Sequence, residues 1–177
     1  MCAPATSHYA LDMTTVLWAD EGRVRRWFRW FGSTRAMSTG RLIQYLDLFV
    51  YRVTRGRHTL STLLAGLPIV LLTTVGAKSG EPRTAPLIGL PDGDQLVLIA
   101  SNYGTAGNPG WYYNLRRNPE ATVTFPGGEP RPVVARLAED HERERLWALG
   151  DSYFPAWARY RRQVTTRTIQ MFVLSYR

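Results

Sequence analysis

A single cysteine, Cys2, in 177 residues excludes an intramolecular disulfide and any metal site built from thiolates. Histidine is nearly as scarce. His8, His58 and His141 lie far apart in polar segments with no carboxylate cluster beside them, so no metal centre is expected. No stretch approaches the ~18 uninterrupted apolar residues of a membrane-spanning helix. The longest, Leu67 to Val75, contains Pro68 and is rich in β-formers. The opening MCAPATSHYALDMTT lacks the basic start and apolar run of a secretory signal. With one cysteine and no signal, a reducing cytoplasm is the expected location. The nucleotide loops G-x-G-x-x-G and G-x-x-x-x-G-K-[ST] are absent, as is the G-x-S-x-G elbow of serine hydrolases. The parts for hydrolysis and metal chemistry are missing, and a cofactor that brings its own reactivity would account for that economy.

What the chain has in excess is positive charge. Lys and Arg outnumber Asp and Glu by 22 to 14, a formal charge of +8, which favours anionic partners without choosing among phosphates, nucleic acid and acidic lipid. Part of that charge lies near the N-terminus. At helical spacing Val24, Trp27, Phe28 and Phe31 share a face, and Arg25, Arg26 and Arg29 lie opposite. Such a segment suits either a helix lying on a membrane surface through residues 18–31, on the inner face of the cell membrane, or a helix packed on the rest of the protein. Gly32 to Gly40 breaks it, and a second helix follows with Leu42, Tyr45, Leu46, Phe49 and Val53 on one stripe. Thr54 to Gly66 reads as a polar connector. Residues 1–60 are therefore expected to form an N-terminal helical extension and residues 61–177 the main domain.

From residue 69 the pattern changes to short apolar runs with period two. Strands are expected at Ile69–Val75, Thr84–Leu90, Gln95–Ala100, Ala121–Phe125, Arg131–Leu137 and Ile169–Tyr176. Pro91-Asp92-Gly93-Asp94 and Pro126-Gly127-Gly128 mark hairpin turns. Helices are expected at Gly110–Arg117, with Asn108 as cap and Pro109 in the first turn, at His141–Leu149 and at Trp157–Gln163. Hairpins without βαβ alternation indicate an α+β protein built on an antiparallel barrel with flanking helices.

Two loops hold more polar and glycine residues than packing requires. The turn GAKSGEPR (Gly76–Arg83) offers Lys78, Ser79 and Arg83 on a glycine-permitted backbone whose N–H groups can converge on an anion. It is equally readable as a solvated hairpin loop. The segment ASNYGTAGNPGWYYNLRRNP (Ala100–Pro119) leaves a strand at Ser101, Asn102 and Tyr103 and enters a helix whose N-terminus favours negative charge. Trp111 in that helix can cover a flat ring, and Asn114 shares its face. Alternatively Trp111, Tyr112 and Leu115 are core.

The run IVLLTTVGAKSGEPRTAPLIGL…DQLVLIASNYGTAGNPGWYYNLRRNPEATVTF resembles the deazaflavin-dependent nitroreductase family of actinobacteria, split-β-barrel proteins distantly similar to pyridoxamine-phosphate-oxidase-like flavoproteins. The likeness covers about Pro68 to the C-terminus. It is most specific in TT-x-G-x-K-[ST]-G-x-P-R and in A-S-N-x-G…N-P-x-W-Y-x-N-L-x-x-N-P. The resemblance implies a split barrel and reduced coenzyme F420 as hydride donor to a small-molecule electron acceptor such as a quinone or nitro compound. It assigns the anionic coenzyme tail to Lys78, Ser79 and Arg83. It assigns the deazaflavin ring to Pro86, Leu87, Ala100, Ser101, Asn102, Tyr103, Gly104, Trp111 and Asn114. Tyr153 to Tyr160 resembles the aromatic substrate lid of the family, with Phe154, Trp157 and Tyr160 as acceptor contacts. Ser101 and Tyr160 would hydrogen-bond the acceptor oxygen, and barrels of this type commonly pair as homodimers. Two other readings stand beside this one: an FMN- or haem-binding barrel, and a non-enzymatic binder of anionic lipid or nucleic acid. No nucleic-acid motif is present, and no nucleic-acid partner is expected.

Overall fold

The computed structural model describes residue 42, residues 45–54 and residues 56–177. Six strands form the frame: β1 (Ile69–Val75), β2 (Pro82–Asp92), β3 (Gln95–Ile99), β4 (Glu120–Thr124), β5 (Arg131–Leu137) and β6 (Met171–Tyr176). All neighbours are antiparallel, and the order β1-β2-β3-β6-β5-β4 closes on itself as a barrel. Closure pairs every strand on both sides and so removes the free edges of an open sheet. The long β2 makes the corner. Its residues Pro82–Ile88 pair with β1 and Gly89–Asp92 with β3. At the handover a Cβ on Gly89 would stand 2.9 Å from the Val70 side chain, so only glycine allows the strand to pass there.

Alternation along the strands sorts the apolar residues into two cores. Leu72, Leu96, Leu98, Val123, Phe172 and Leu174 pack in one cluster with Trp111 and Leu115. Val97, Ile99, Met171 and Val173 face the opposite way, into a second cluster. Two helices cover that second face, α4 (Arg143–Tyr153) and α5 (Ala156–Gln163), through Leu146, Trp147, Trp157 and Tyr160. A bidentate pair from Arg145 to Asp92 (2.6 and 2.8 Å) joins α4 to the end of β2. Between β3 and β4 lies α3 (Gly110–Arg117).

Two local expectations require correction. The stretch expected as a polar connector contains a short helix, α2 (Leu60–Ala65). Thr59 caps it by accepting from the Thr62 N–H, and Gly66 ends it in the left-handed region at φ 61°. Thr59 and Gly66 have the residue types of a loop and here serve as the caps of a six-residue helix. The preceding helix, α1 (residues 45–53), is present, but its apolar stripe is not its anchor. Leu42, Tyr45, Leu46, Phe49 and Val53 are 39–71% exposed, whereas Asp47 is 4% exposed. The Asp47 carboxylate accepts from the Ser61 N–H (2.8 Å) and the Ser61 hydroxyl (2.7 Å), tying α1 to the first turn of α2. The helix expected at Arg23–Phe31, and the membrane contact of residues 18–31, lie outside the described residues.

Candidate functional site

The β1–β2 turn, the segment after β3 and the segment before β6 all emerge at one end of the barrel, as the antiparallel register requires. There the first loop is a tight, self-bonded turn. The Gly76 N–H donates to Glu81 O and the Gly80 N–H to Gly76 O, both at 2.8 Å. Gly80 sits at φ 74°. Ser79 serves the turn itself: its hydroxyl accepts from the Glu81 N–H (3.3 Å) and fills the space a Cβ on Gly76 would take, 2.6 Å away. Lys78 and Arg83 are exposed, and neither forms an ion pair with a described residue. Two unpaired cations on a rigid turn suit the anionic tail expected there.

The second loop carries backbone strain. Asn102, Tyr103 and Gly104 lie consecutively in the left-handed region, at φ 47°, 56° and 77°. For the two non-glycine residues this costs of order 1–3 kcal/mol each. Asn102 offsets part of that locally. Its amide donates to Thr105 Oγ1 (2.7 Å) and Gly107 O (2.9 Å), while the Thr105 hydroxyl donates to Asn102 O (2.9 Å). Gly104 lies directly on the Tyr160 ring, where a Cβ would stand 2.9 Å from Tyr160 Cδ1.

Asn114, on α3, joins that helix to the first turn. Its Oδ1 accepts from the Ala77 N–H and its Nδ2 donates to Thr74 Oγ1, both at 2.9 Å. The side chain expected against a flat ring thus spends its hydrogen bonds holding the turn to α3. Trp111 is likewise a packing residue, 8% exposed and edge-on to Phe172 at 5.9 Å. Pro86 and Leu87 were expected to share one ring. They are neighbours on a strand and point to opposite faces; Leu87 packs on the cluster of Trp111 and Leu115, so Pro86 faces the other way. Ala100 is fully buried in that same cluster. Asn108 does not cap α3; Pro109 takes the cap position, with no side-chain bond.

The aromatic group lies across the barrel wall in the second core. Phe154 is half-buried and meets Trp157 edge-on at 5.7 Å and Tyr160 at 6.5 Å. Trp157 is 3% exposed and its indole N–H donates to Ser101 Oγ at 3.3 Å. Tyr160 is 2% exposed and its hydroxyl has no hydrogen-bond partner among the described residues. Burial, with the neighbouring Tyr103 adding to it, pushes the Tyr160 phenol up to about 12. It therefore stays protonated at neutral pH, a hydrogen-bond donor and not a base. Burial also raises Tyr103, and the Asp47 carboxylate adds to that shift.

Sequence reasoning missed Arg167. Its guanidinium donates to Ala100 O (3.1 Å), Ser101 O (3.0 Å), Thr105 O (3.3 Å) and Asn108 Oδ1 (2.9 Å). One side chain thereby pins the whole second loop. The single sequence signal was a cation just before the last strand, and its partners lie 59–67 residues away.

The donor set fits a reduced deazaflavin coenzyme: two cations on one turn with no ion pair among the described residues, a hydroxyl on the adjoining loop at Ser101 and one on α5 at Tyr160. The sequence profile of the F420H(2)-dependent quinone reductases matches residues 46–176. An F420H(2)-dependent quinone reductase of Mycobacterium tuberculosis is 34% identical over 132 residues, covering 72% of this chain and 86% of the relative. A solved F420-H2 dependent reductase superposes with a TM-score of 0.56 at 36% identity, over 61% of this chain and 94% of that one. A solved domain-swapped dimer superposes with a TM-score of 0.58 at 31% identity, over 74% and 97% of the two chains. The chain belongs to the F420H(2)-dependent quinone reductase family.

Proposed function

We propose that this barrel end binds reduced F420 and directs its hydride to a quinone. Family membership carries F420 as coenzyme and oxidoreduction as the reaction class. The observation that supports the site assignment is the Asn114 joint, which ties the cationic turn to α3, the helix that follows the strained loop. Lys78 and Arg83 hold the anionic tail, and the backbone of the Gly76–Arg83 turn, braced by Ser79, presents them. The Ser101–Gly104 loop lies against the ring, with Asn102 and Arg167 keeping it in place. When bound, reduced F420 supplies a hydride to a conjugated acceptor.

The protein contributes proximity and polarisation. Ser101 and Tyr160 donate hydrogen bonds to the acceptor oxygen as negative charge develops on it. The Tyr160 phenol, at about 12, is too weak an acid to give up its proton readily. The proton that completes the quinol comes from solvent. Phe154 forms the apolar wall over the acceptor, and residues 61–177 contain the whole site. Pairing of two copies belongs to the same reading, since one similar structure is a domain-swapped dimer.

The test is a fluorescence titration with F420, then the oxidation of F420H2 followed by absorbance with a quinone and with a nitroaromatic in parallel. The expected result is F420 binding that weakens in Lys78→Ala and Arg83→Ala, most at low salt, and faster turnover with the quinone. Tight FMN binding with no F420 binding would overturn the proposal.

A further inference from the structure

We propose that Trp157 is a positioning residue, whose indole N–H commits the Ser101 hydroxyl to donating its own proton within the site. This rests on the reading of Ser101 as a hydrogen-bond donor to the acceptor.

An indole N–H can only donate, whereas a hydroxyl has one proton to give and two lone pairs to receive. In the Trp157–Ser101 bond at 3.3 Å the serine oxygen is therefore the acceptor. No other bond to Ser101 Oγ is formed among the described residues, so its proton stays available. A tyrosine or a water in place of Trp157 could reverse the bond and consume that proton; a tryptophan cannot.

Both ends of the bond are held. A Cβ on Gly150 would stand 3.0 Å from Trp157 Cε3 and 2.7 Å from Ile99 Cδ1, so α4 closes on the indole with no room to spare. Phe154 abuts the same ring edge-on, with an interplanar angle of 86°. On the other side the Ser101 main chain is fixed by Arg167 on its carbonyl and by its own N–H to Ile99 O (2.9 Å). A hydroxyl oriented before the acceptor arrives needs no reorganisation as charge develops. Trp157 thus contributes through the serine.

Trp157→Phe keeps an aromatic ring and removes the donor; Ser101→Ala removes the group that it orients. Removing one preorganised donor costs on the order of 100-fold in turnover, and loosening it about tenfold. The expected kcat losses are therefore about 100-fold for Ser101→Ala and about tenfold for Trp157→Phe, with the quinone KM little changed. In the double variant the loss stays at the level of Ser101→Ala, because the tryptophan acts only through the serine. A readout independent of turnover is the Trp157 indole N–H resonance in coenzyme-free protein. Ser101→Ala is expected to shift it upfield and speed its exchange with solvent. Multiplicative losses in the double variant, or an indole resonance indifferent to Ser101→Ala, overturn the proposal. A wild-type protein that fails to oxidise F420H2 at all overturns the function reading instead, and the resonance still reports on the bond.

Discussion

Asn114→Ala removes both hydrogen bonds from the joint between α3 and the Gly76–Arg83 turn. The Ala77 N–H loses its acceptor. Thr74, 2% exposed, is left with only a long bond from its hydroxyl to Arg83 O at 3.4 Å. Two bonds of roughly 1 kcal/mol each put the cost at about 2 kcal/mol. For a chain of this length that lowers the melting temperature by about 4–8 °C. The functional consequence should be selective. The turn carries Lys78 and Arg83, so freeing it weakens the grip on the coenzyme tail and leaves the ring contacts in place. Affinity for F420 is expected to fall about tenfold, equivalent to ~1.4 kcal/mol. Affinity for the tail-less deazaflavin chromophore should be unchanged. The assay is a pair of fluorescence titrations on wild type and variant, beside a thermal scan. Equal weakening toward both ligands, or none toward either, would refute the idea that Asn114 orders the anion cradle.

Gly104→Ala and Gly80→Ala separate strain from contact. Both positions have left-handed φ, 77° and 74°, but only at Gly104 does a new Cβ meet a neighbour, the Tyr160 ring at 2.9 Å. Each is expected to lose about 1–2 kcal/mol for the backbone. Gly104→Ala should lose about 1–3 kcal/mol more for the overlap, a difference visible in parallel urea titrations; equal losses would rule out the contact. Glu142 is held down to about 2, first by the Arg136 guanidinium and then by the Glu139 N–H. A depressed carboxylate contributes stability that is complete above its unfolded value and is lost as pH falls through its folded one. Melting temperature should therefore drop from about pH 4.5 toward pH 2 in wild type and more shallowly in Glu142→Gln; identical slopes would sink this assignment. Asp47 is the opposite case: burial raises it, outweighing the Ser61 hydrogen bonds. Its contribution is complete below the ordinary carboxylate value and is lost as pH rises through the raised folded one. Asp47→Asn should match wild type in acid and exceed it in melting temperature at neutral pH; a variant that melts below wild type at neutral pH contradicts the sign.

The elements legible in the sequence were those whose cause is local. β1, α3 and β5 form over the residues that the period-two runs and the Pro109–Asn118 punctuation indicate. The hairpin at Gly93 follows from a glycine that can take φ 63°. Helix α2 was not legible, because Thr59 and Ser61 look like loop residues until one caps the helix and the other meets Asp47, 14 positions upstream. The stripe on α1 misled in the same way: Leu42, Tyr45, Leu46, Phe49 and Val53 stay exposed, and the Asp47 carboxylate ties that helix to α2.

The same division runs through the site. Composition and the two glycine-rich loops pointed to an anion cradle, the missing motifs to a cofactor with its own reactivity, and the family resemblance to F420. They could not say which side chains face a ligand and which brace the loops, because that depends on partners far away in the chain. Only the fold turned Asn114 and Ser79 into struts, put Trp111 and Leu87 in a core, and drew Arg167 across more than sixty residues onto the Ser101 carbonyl. Hydrogen-bond donors and acceptors must find partners once buried, and closing the barrel decides which ones they meet. The residue types that the chemistry needs are written along the chain; their division into grip, wall and scaffold arises when β1, β3 and β6 bring their loops to one end.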